Sequence, residues 1–261
     1  MLHSTKGIVF HSLRYSETSL IVKIYTELFG IQSYLFKGIR GPKSKIKRGL
    51  FQPLTLLDLV VYHKENQSLQ SVKEAHLAHP YQTIPFDIRK SSVALFINEL
   101  VYKTIREEES NPGLFEFLWQ SCLQLDATDE PVSCFHLFFA LQFCHYLGIF
   151  PQTNYSDQLP VFNLREGFFQ SAIPDHPQYL NPEYSKLFYS VLRICNLQPE
   201  ENGEIGETCL PAGRWRNGEI FTNMKSETRN QLLETILLYY RLHLPGFRGL
   251  QSHHILHDVM A

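Results

Sequence analysis

The sequence predicts an α+β chain of more than one domain. A small five-stranded β-barrel is followed by a mainly α-helical domain that carries a small β-hairpin and loop insertion. Two observations predict this. Apolar residues alternate with period two up to about residue 80, and beyond it they repeat every three to four residues. The charge changes sign at the same place: residues 1–80 carry 11 Lys+Arg against 5 Asp+Glu, and residues 81–261 carry 13 against 21. With 261 residues, 44% hydrophobic and 13% aromatic, the chain can bury a sizeable core and fits two domains better than one. The domains are placed at 1–80 and 81–261 accordingly.

Gly7-Ile-Val-Phe-His-Ser-Leu13 opens the first strand, and Tyr15-Ser-Glu-Thr18 turns the chain. From Ser19 to Tyr25, alternation puts Leu20, Val22 and Ile24 on one face and Ser19, Ile21 and Lys23 on the other. In the third strand, Gly30 to Lys37, Ile31, Ser33 and Leu35 oppose Gln32, Tyr34 and Phe36. Alternation leaves open which set faces inward. Gly38, Gly41 and Pro42 mark a loop, Leu54 to Tyr62 is a strongly apolar strand, and Leu69 to Leu77 follows a turn at Asn66-Gln67. Five short strands in this length fit an OB-type barrel.

The helical part begins with Ile88 to Glu109, where Val93, Phe96, Ile97, Leu100, Val101 and Ile105 recur at helical steps. Asn111 caps and Pro112 opens a helix from Leu114 to Leu125. Pro131 opens a third, which carries Phe135 to Leu147 and stops at Gly148 and Pro151. Residues 152–180 lose the helical pattern and suggest a hairpin across Leu159 to Phe169. Asn181-Pro182 starts a helix reaching about Cys195, the polar 198–225 stretch reads as a mobile loop, and Ser226 caps a long amphipathic helix spanning Leu232 to Leu244. A short helix follows Gly249.

The densest chemical signal is the loop from Lys37 to Arg48. It holds Lys37, Arg40, Lys43, Lys45, Lys47 and Arg48 and no carboxylate. A cationic loop between strands suits a polyanion, because phosphate contacts release condensed counterions. Six such contacts to a single strand would give a log-log salt slope of about −4. Lysines suit sequence-independent contact, being mobile point charges with no fixed bidentate geometry. Arg14 joins these cations as a candidate DNA contact, and Tyr15, Tyr34 and Phe36 are candidate stacking platforms for bases. A solvated turn kept soluble by its charge remains the competing reading, as does a core position for each ring.

Other classes find little support. No apolar run reaches the length of a membrane helix, and the first residues lack an export pattern. Five cysteines at unpaired spacings fit a reducing cytoplasm. His253, His254 and His257, with Asp258 adjacent, form the densest histidine cluster, which reads as surface rather than as a metal site. Glu107-Glu108-Glu109 reads as a solvated helix end. Phosphate-loop, zincin and nucleophile-elbow patterns are missing, so neither an enzyme nor a cofactor is expected.

Several spaced motifs resemble the RecO family of bacterial recombination mediators. They are Gly7-Ile-Val, Tyr15-Ser-Glu-Thr-Ser-Leu-Ile-Val, Tyr25-Thr-Glu-Leu-Phe-Gly30, Lys37-Gly-Ile-Arg-Gly-Pro-Lys-Ser44 and Leu50-Phe-Gln-Pro-Leu54. Asn98-Glu-Leu, Leu147-Gly-Ile-Phe-Pro151 and Tyr240-Arg-Leu-His-Leu-Pro-Gly-Phe-Arg-Gly-Leu-Gln-Ser252 extend the likeness over nearly the whole chain. The resemblance implies an OB-fold domain before a helical one, binding to single- and double-stranded DNA, and strand annealing. It also implies partnership with RecR and with single-stranded-DNA-binding protein, to help load RecA. Two departures stand out. Many relatives carry a four-cysteine zinc site after the turn at Leu147–Pro151, whereas Gln152 to Phe169 has no cysteine. We therefore expect no zinc, and expect Leu159, Val161, Phe162, Phe168 and Phe169 to hold that segment by apolar packing. Relatives also often place an arginine on the preceding helix to hold the partner's acidic tail; here Gln142 stands there. An RNA-binding OB-fold factor and a protein-interaction adaptor stay open as alternatives.

Overall fold

The computed structural model of the chain describes residues 1–38, 48–106, 108–195 and 224–260. Five strands, β1 (Leu2–Arg14), β2 (Leu20–Thr26), β3 (Gly30–Phe36), β4 (Leu56–Tyr62) and β5 (Leu69–Leu77), close a barrel in the order β1-β2-β3-β5-β4. The strand order and closure are those of an OB-type barrel. Closure rests on β1, whose 13 residues pair with β4 through Leu2–Ile8 and with β2 through Gly7–Arg14. Gly7 pairs on both sides, with Thr26 and with Leu57. A Cβ there would meet Ile24 Cγ2 at 2.6 Å and Leu59 Cδ1 at 2.8 Å, so the point where β1 passes between neighbours has no room for a side chain. Just beyond it, the register slips between Val9 and His11. This bulge leaves Phe10 outside the ladder, and Asn98 Nδ2 donates to its carbonyl at 3.1 Å.

The barrel interior is filled by Val9, Val22, Ile24, Tyr34, Phe36, Phe51, Leu57 and Leu59 among others. The first strand starts earlier than its alternation suggests, at Leu2. The fourth starts later, because Leu54 adopts φ 62 and cannot continue a strand. Leu54 N–H donates to Val9 O and its carbonyl accepts from Tyr81 Oη, each at 2.7 Å, which holds the unusual backbone in place.

Two helices belong with the barrel, since the compact units are Met1–Thr128 and Asp129–Ala261. The change of period near residue 80 and the boundary between compact units are thus different places. Helix α1 (Ile88–Thr104) is capped by Asp87, and α2 (Pro112–Ala127) by Asn111, whose Oδ1 accepts from Leu114 N–H at 3.0 Å. Helix α1 stops at Thr104, with Ile105 already extended, so Glu108 and Glu109 lie beyond the helix rather than at its end. Residue 107 lies outside the described residues.

A polar knot ties the barrel exit to both helices. Buried Asp126 accepts from the backbone N–H groups of Gln82, Thr83 and Ile84 at 2.8–3.0 Å. Buried Lys90 donates from Nζ to Thr83 Oγ1 at 2.7 Å and to the carbonyls of Asp126 and Thr128 at 3.0 and 2.6 Å. An ammonium at the C-terminal carbonyls of α2 satisfies groups that the helix itself cannot.

The second unit holds α3 (Phe135–Tyr146), β6 (Val161–Asn163), β7 (Phe168–Gln170), β8 (Tyr179–Leu180), α4 (Pro182–Cys195), α5 (Ser226–His243) and α6 (Ser252–Val259). Helix α3 begins four residues after Pro131, because Phe135 N–H closes a turn on Val132 O instead of a helix. Ser226 is the first residue of α5 and not its cap; the capping position is Lys225, which makes no side-chain cap bond. Tyr240 Oη joins α5 to α3 through Ala140 O at 2.7 Å. The hairpin expected in 159–169 is β6–β7, and β8 adds a third antiparallel strand in the order β7-β6-β8. The loop read at 198–225 lies outside the described residues except Met224 and Lys225. Among the described residues, no helix is long and apolar enough to cross a membrane.

Candidate nucleic-acid interface

Strand register gathers the described cations at one end of the barrel. Arg14 pairs with Leu20, and Leu20 pairs with Phe36, the residue before Lys37. Neighbouring strands lie about 5 Å apart, so the strand ends carrying Arg14 and Lys37 are about 10 Å apart. Both side chains are exposed. Gly38 follows with φ +71, a left-handed conformation that turns the chain away from β3 and that glycine adopts freely. Arg40, Lys43, Lys45 and Lys47 lie outside the described residues, and Arg48 enters as the first backbone position of a short 3₁₀ helix, Arg48–Phe51.

The connection between them is anchored at both ends by aromatic residues. Phe36, just before it, and Phe51, just after it, are both buried in the barrel, with ring centroids 4.4 Å apart. The loop's roots are therefore fixed at the barrel mouth by apolar packing.

The same packing corrects the expectation for two rings. Tyr34 and Phe36 are 0% and 2% exposed, so neither presents a face on which a base could stack. Both belong to the inward set of β3, and burial raises the pKa of the Tyr34 phenol. Tyr15 differs: it is 62% exposed in the β1–β2 turn, where its N–H donates to Ser19 O at 3.1 Å. The inward position of Tyr34 and Phe36 places Leu35 on the outer surface, beside its cross-strand partner Ile21 and, beyond that, Leu13. Period two pairs residues by face but does not say which face is inside, so sequence reasoning passed over this outer row.

Residues 1–81 match the family model described as Recombination protein O N terminal, and residues 85–156 match the one described as Recombination protein O C terminal. The DNA repair protein RecO of Phocaeicola vulgatus is 34% identical over 261 residues, covering all of both chains. That of Bacteroides fragilis is 34% identical over 260 residues, 99% of each, and that of Christiangramia forsetii 35% over 262 residues, all of both. The chain belongs to the RecO family. Its place is therefore among DNA repair and recombination proteins.

Zinc ligation, expected of many RecO relatives, does not fit the residues of this one. A thiolate site needs about four ligands, and Gln152 to Phe169 offers no cysteine. Cys144 and Cys195 are buried; burial pushes the Cys144 thiol up to about 12 and that of Cys195 higher still, so both stay protonated at neutral pH. Cys209 lies outside the described residues. Among the described residues no group of three or more His, Cys, Asp or Glu could hold a metal ion. In the C-terminal histidine cluster, the ring of His253 lies 3.9 Å from that of His254, and its Nε2 is 3.5 Å from Glu234 of α5.

Asparagines and aromatic rings occupy this segment of the RecO chain. Asn154 accepts from Phe169 N–H and donates to Phe169 O, both at 2.9 Å, as a neighbouring strand would. Val161, Phe162 and Phe169 are buried as expected, whereas Leu159 and Phe168 are only partly so. On α3, Gln142 is half-buried and Phe135, Phe138, Phe139 and Phe143 are buried. Tyr146 is the large hydrophobic side chain that this helix exposes.

Proposed function

We propose that this RecO-family chain is a DNA-binding recombination mediator. It holds single- and double-stranded DNA at the basic end of the barrel and anneals complementary strands. With RecR, it helps load RecA onto single strands covered by single-stranded-DNA-binding protein. It works in the cytoplasm, on the nucleoid, as a mediator and not as a catalyst. The observation that carries the reading is the meeting of Arg14, Lys37 and both roots of the Lys37–Arg48 loop at one barrel end. The charge balance supports it: residues 1–128 hold 15 Lys+Arg against 12 Asp+Glu, and residues 129–261 hold 9 against 14. The sign difference therefore survives the shift of boundary. Mobile lysines on a fixed platform grip phosphates without locking bases, as strand annealing requires.

The test is annealing of two complementary oligonucleotides, one labelled, at two salt concentrations. The full chain is expected to accelerate annealing, and the effect is expected to fade with salt. In the variant Lys43→Ala, Lys45→Ala, Lys47→Ala, Arg48→Ala, affinity for all sequences should fall alike and the salt slope should flatten. Unchanged affinity and slope in that variant would move the site elsewhere, and equal acceleration with RNA strands would favour an RNA-binding role.

A further inference from the structure

The outer surface of the barrel is covered on one part and open on another. Phe10 and Tyr25 point outward yet are each 1% exposed, because Tyr25 packs against Phe115 of α2 at 6.1 Å between ring centroids. Past the bulge, the outward row is Leu13, Ile21 and Leu35, paired directly across β1, β2 and β3. Directly opposed residues share a face of a sheet, and Val22, Tyr34 and Phe36 occupy the inner one. Leu13 is 57% exposed, Ile21 and Leu35 are partly exposed, and Tyr15 extends the row at its upper end.

Cations frame this apolar row. Exposed Arg14 and Lys37 stand at its upper edge; Glu17, in the β1–β2 turn, is the nearby carboxylate in sequence. One register row below, Lys23 Nζ sits 5.6 Å from the ring centroid of Tyr102. An aliphatic row has nothing to offer a phosphate, and the cations have nothing specific to offer a base. Together they match a ligand that presents both along one extended chain. An unpaired DNA strand does so, whereas a duplex keeps its base faces stacked inside and shows a sheet surface only phosphates and groove edges.

We infer that Leu13, Tyr15, Ile21 and Leu35 form a platform for the bases of an unpaired DNA strand. This rests on the DNA-binding reading above and deepens it: the cations set affinity and salt dependence, and the apolar row sets the preference for single strands.

The experiment is fluorescence anisotropy of the full chain with three probes: oligothymidylate, an abasic strand of equal length and charge, and a duplex. Each is titrated against the wild type and the double variant Leu13→Gln, Tyr15→Ser. Both positions are more than half exposed, so the variant is expected to melt at the wild-type temperature. The wild type should bind oligothymidylate about tenfold more tightly than the abasic strand, the scale of one base stack. The variant should lose that preference and keep its duplex affinity and salt slope. Equal affinity of the wild type for the thymidylate and abasic strands would overturn the platform while leaving cation-driven DNA binding intact. That comparison needs no variant. Retention of the preference by the variant would also overturn the platform, and no binding to any probe would overturn the DNA-binding reading with it. A wild-type dimer that the double variant disperses, without base preference, would assign the row to a second copy of the chain and overturn the inference.

Discussion

The barrel and the small sheet of the second unit solve one problem by opposite means. The barrel's strands run 7 to 13 residues and close on themselves, so the ladder satisfies most of its own backbone and the interior can be apolar. Strands of three, three and two residues cannot do this. Side chains complete the small sheet instead. Asn154 stands in for a strand beside β7, and Asn163 Oδ1 accepts from the N–H groups of Arg165 and Glu166. Ser185 Oγ accepts from Phe162 N–H at 2.9 Å and donates to Leu180 O at 3.0 Å. The difference teaches that a short sheet keeps its shape through side-chain amides and hydroxyls, where a long closed one needs few.

If so, the apolar centre of the small sheet should be its most sensitive point. Phe162 has its ring centroid within 4.7–6.3 Å of those of Phe169, Phe188 and Tyr239. Phe162→Ala is expected to cost about 4 kcal/mol, measured by denaturant unfolding. A loss below about 1 kcal/mol would mean that the hydrogen bonds alone hold the sheet.

The next effect belongs to the barrel's unit, at the one place where it borrows the small sheet's device. Burial raises the pKa of Asp126, but the N–H groups of Gln82, Ile84 and Thr83, with His79, outweigh it and bring the carboxyl from 3.8 to about 2. Asp126→Ala leaves those N–H groups without their acceptor and should cost about 3 kcal/mol. The sign of the pH dependence follows from the depressed value. The contribution, about 2 kcal/mol, is complete above the unfolded carboxyl value near 4 and is lost as pH falls towards 2. Acid unfolding of Asp126→Asn should accordingly be flatter through that window than in the wild type.

Much of this contrast is legible in the sequence, and its limits are physical. Period two located the barrel strands, and Asn111-Pro112 and Asn181-Pro182 fixed two helix starts, because capping chemistry is local. The inward face of β3 was not legible, since alternation is symmetric until tertiary packing chooses a side. That choice moved Tyr34 and Phe36 into the core and Leu35 out. Nor was the Asp126 knot legible: its partners at 79–84 lie more than forty residues away, and a lone Asp on a helix carries no mark of distant amides. Of the candidate site, the identity of the cations was plain, while their gathering with Arg14 needed the strand register. The replacement for the zinc site was half legible, as apolar packing, because hydrophobic runs show in sequence and Asn-to-backbone brackets do not.

A smaller effect isolates the bracket itself. Asn154→Ala leaves β7 in place but removes the acceptor for Phe169 N–H and the donor to Phe169 O, and is expected to cost about 2 kcal/mol. Asn154→Asp should restore the acceptor half alone and recover part of the loss. The smallest expected effect sharpens the comparison most. If amides and rings do in this segment what thiolates and zinc do elsewhere, chelator at millimolar concentration should leave the melting temperature unchanged, in the wild type and in Asn154→Ala alike. A structural zinc contributes folding free energy outright, so its removal would lower the melting temperature by many degrees. A chelator-induced drop would therefore place a metal in the second unit and demote Asn154 from a replacement to a supporting contact. An unchanged melt, together with a measurable loss in Asn154→Ala, would assign the holding of β7 to one amide side chain.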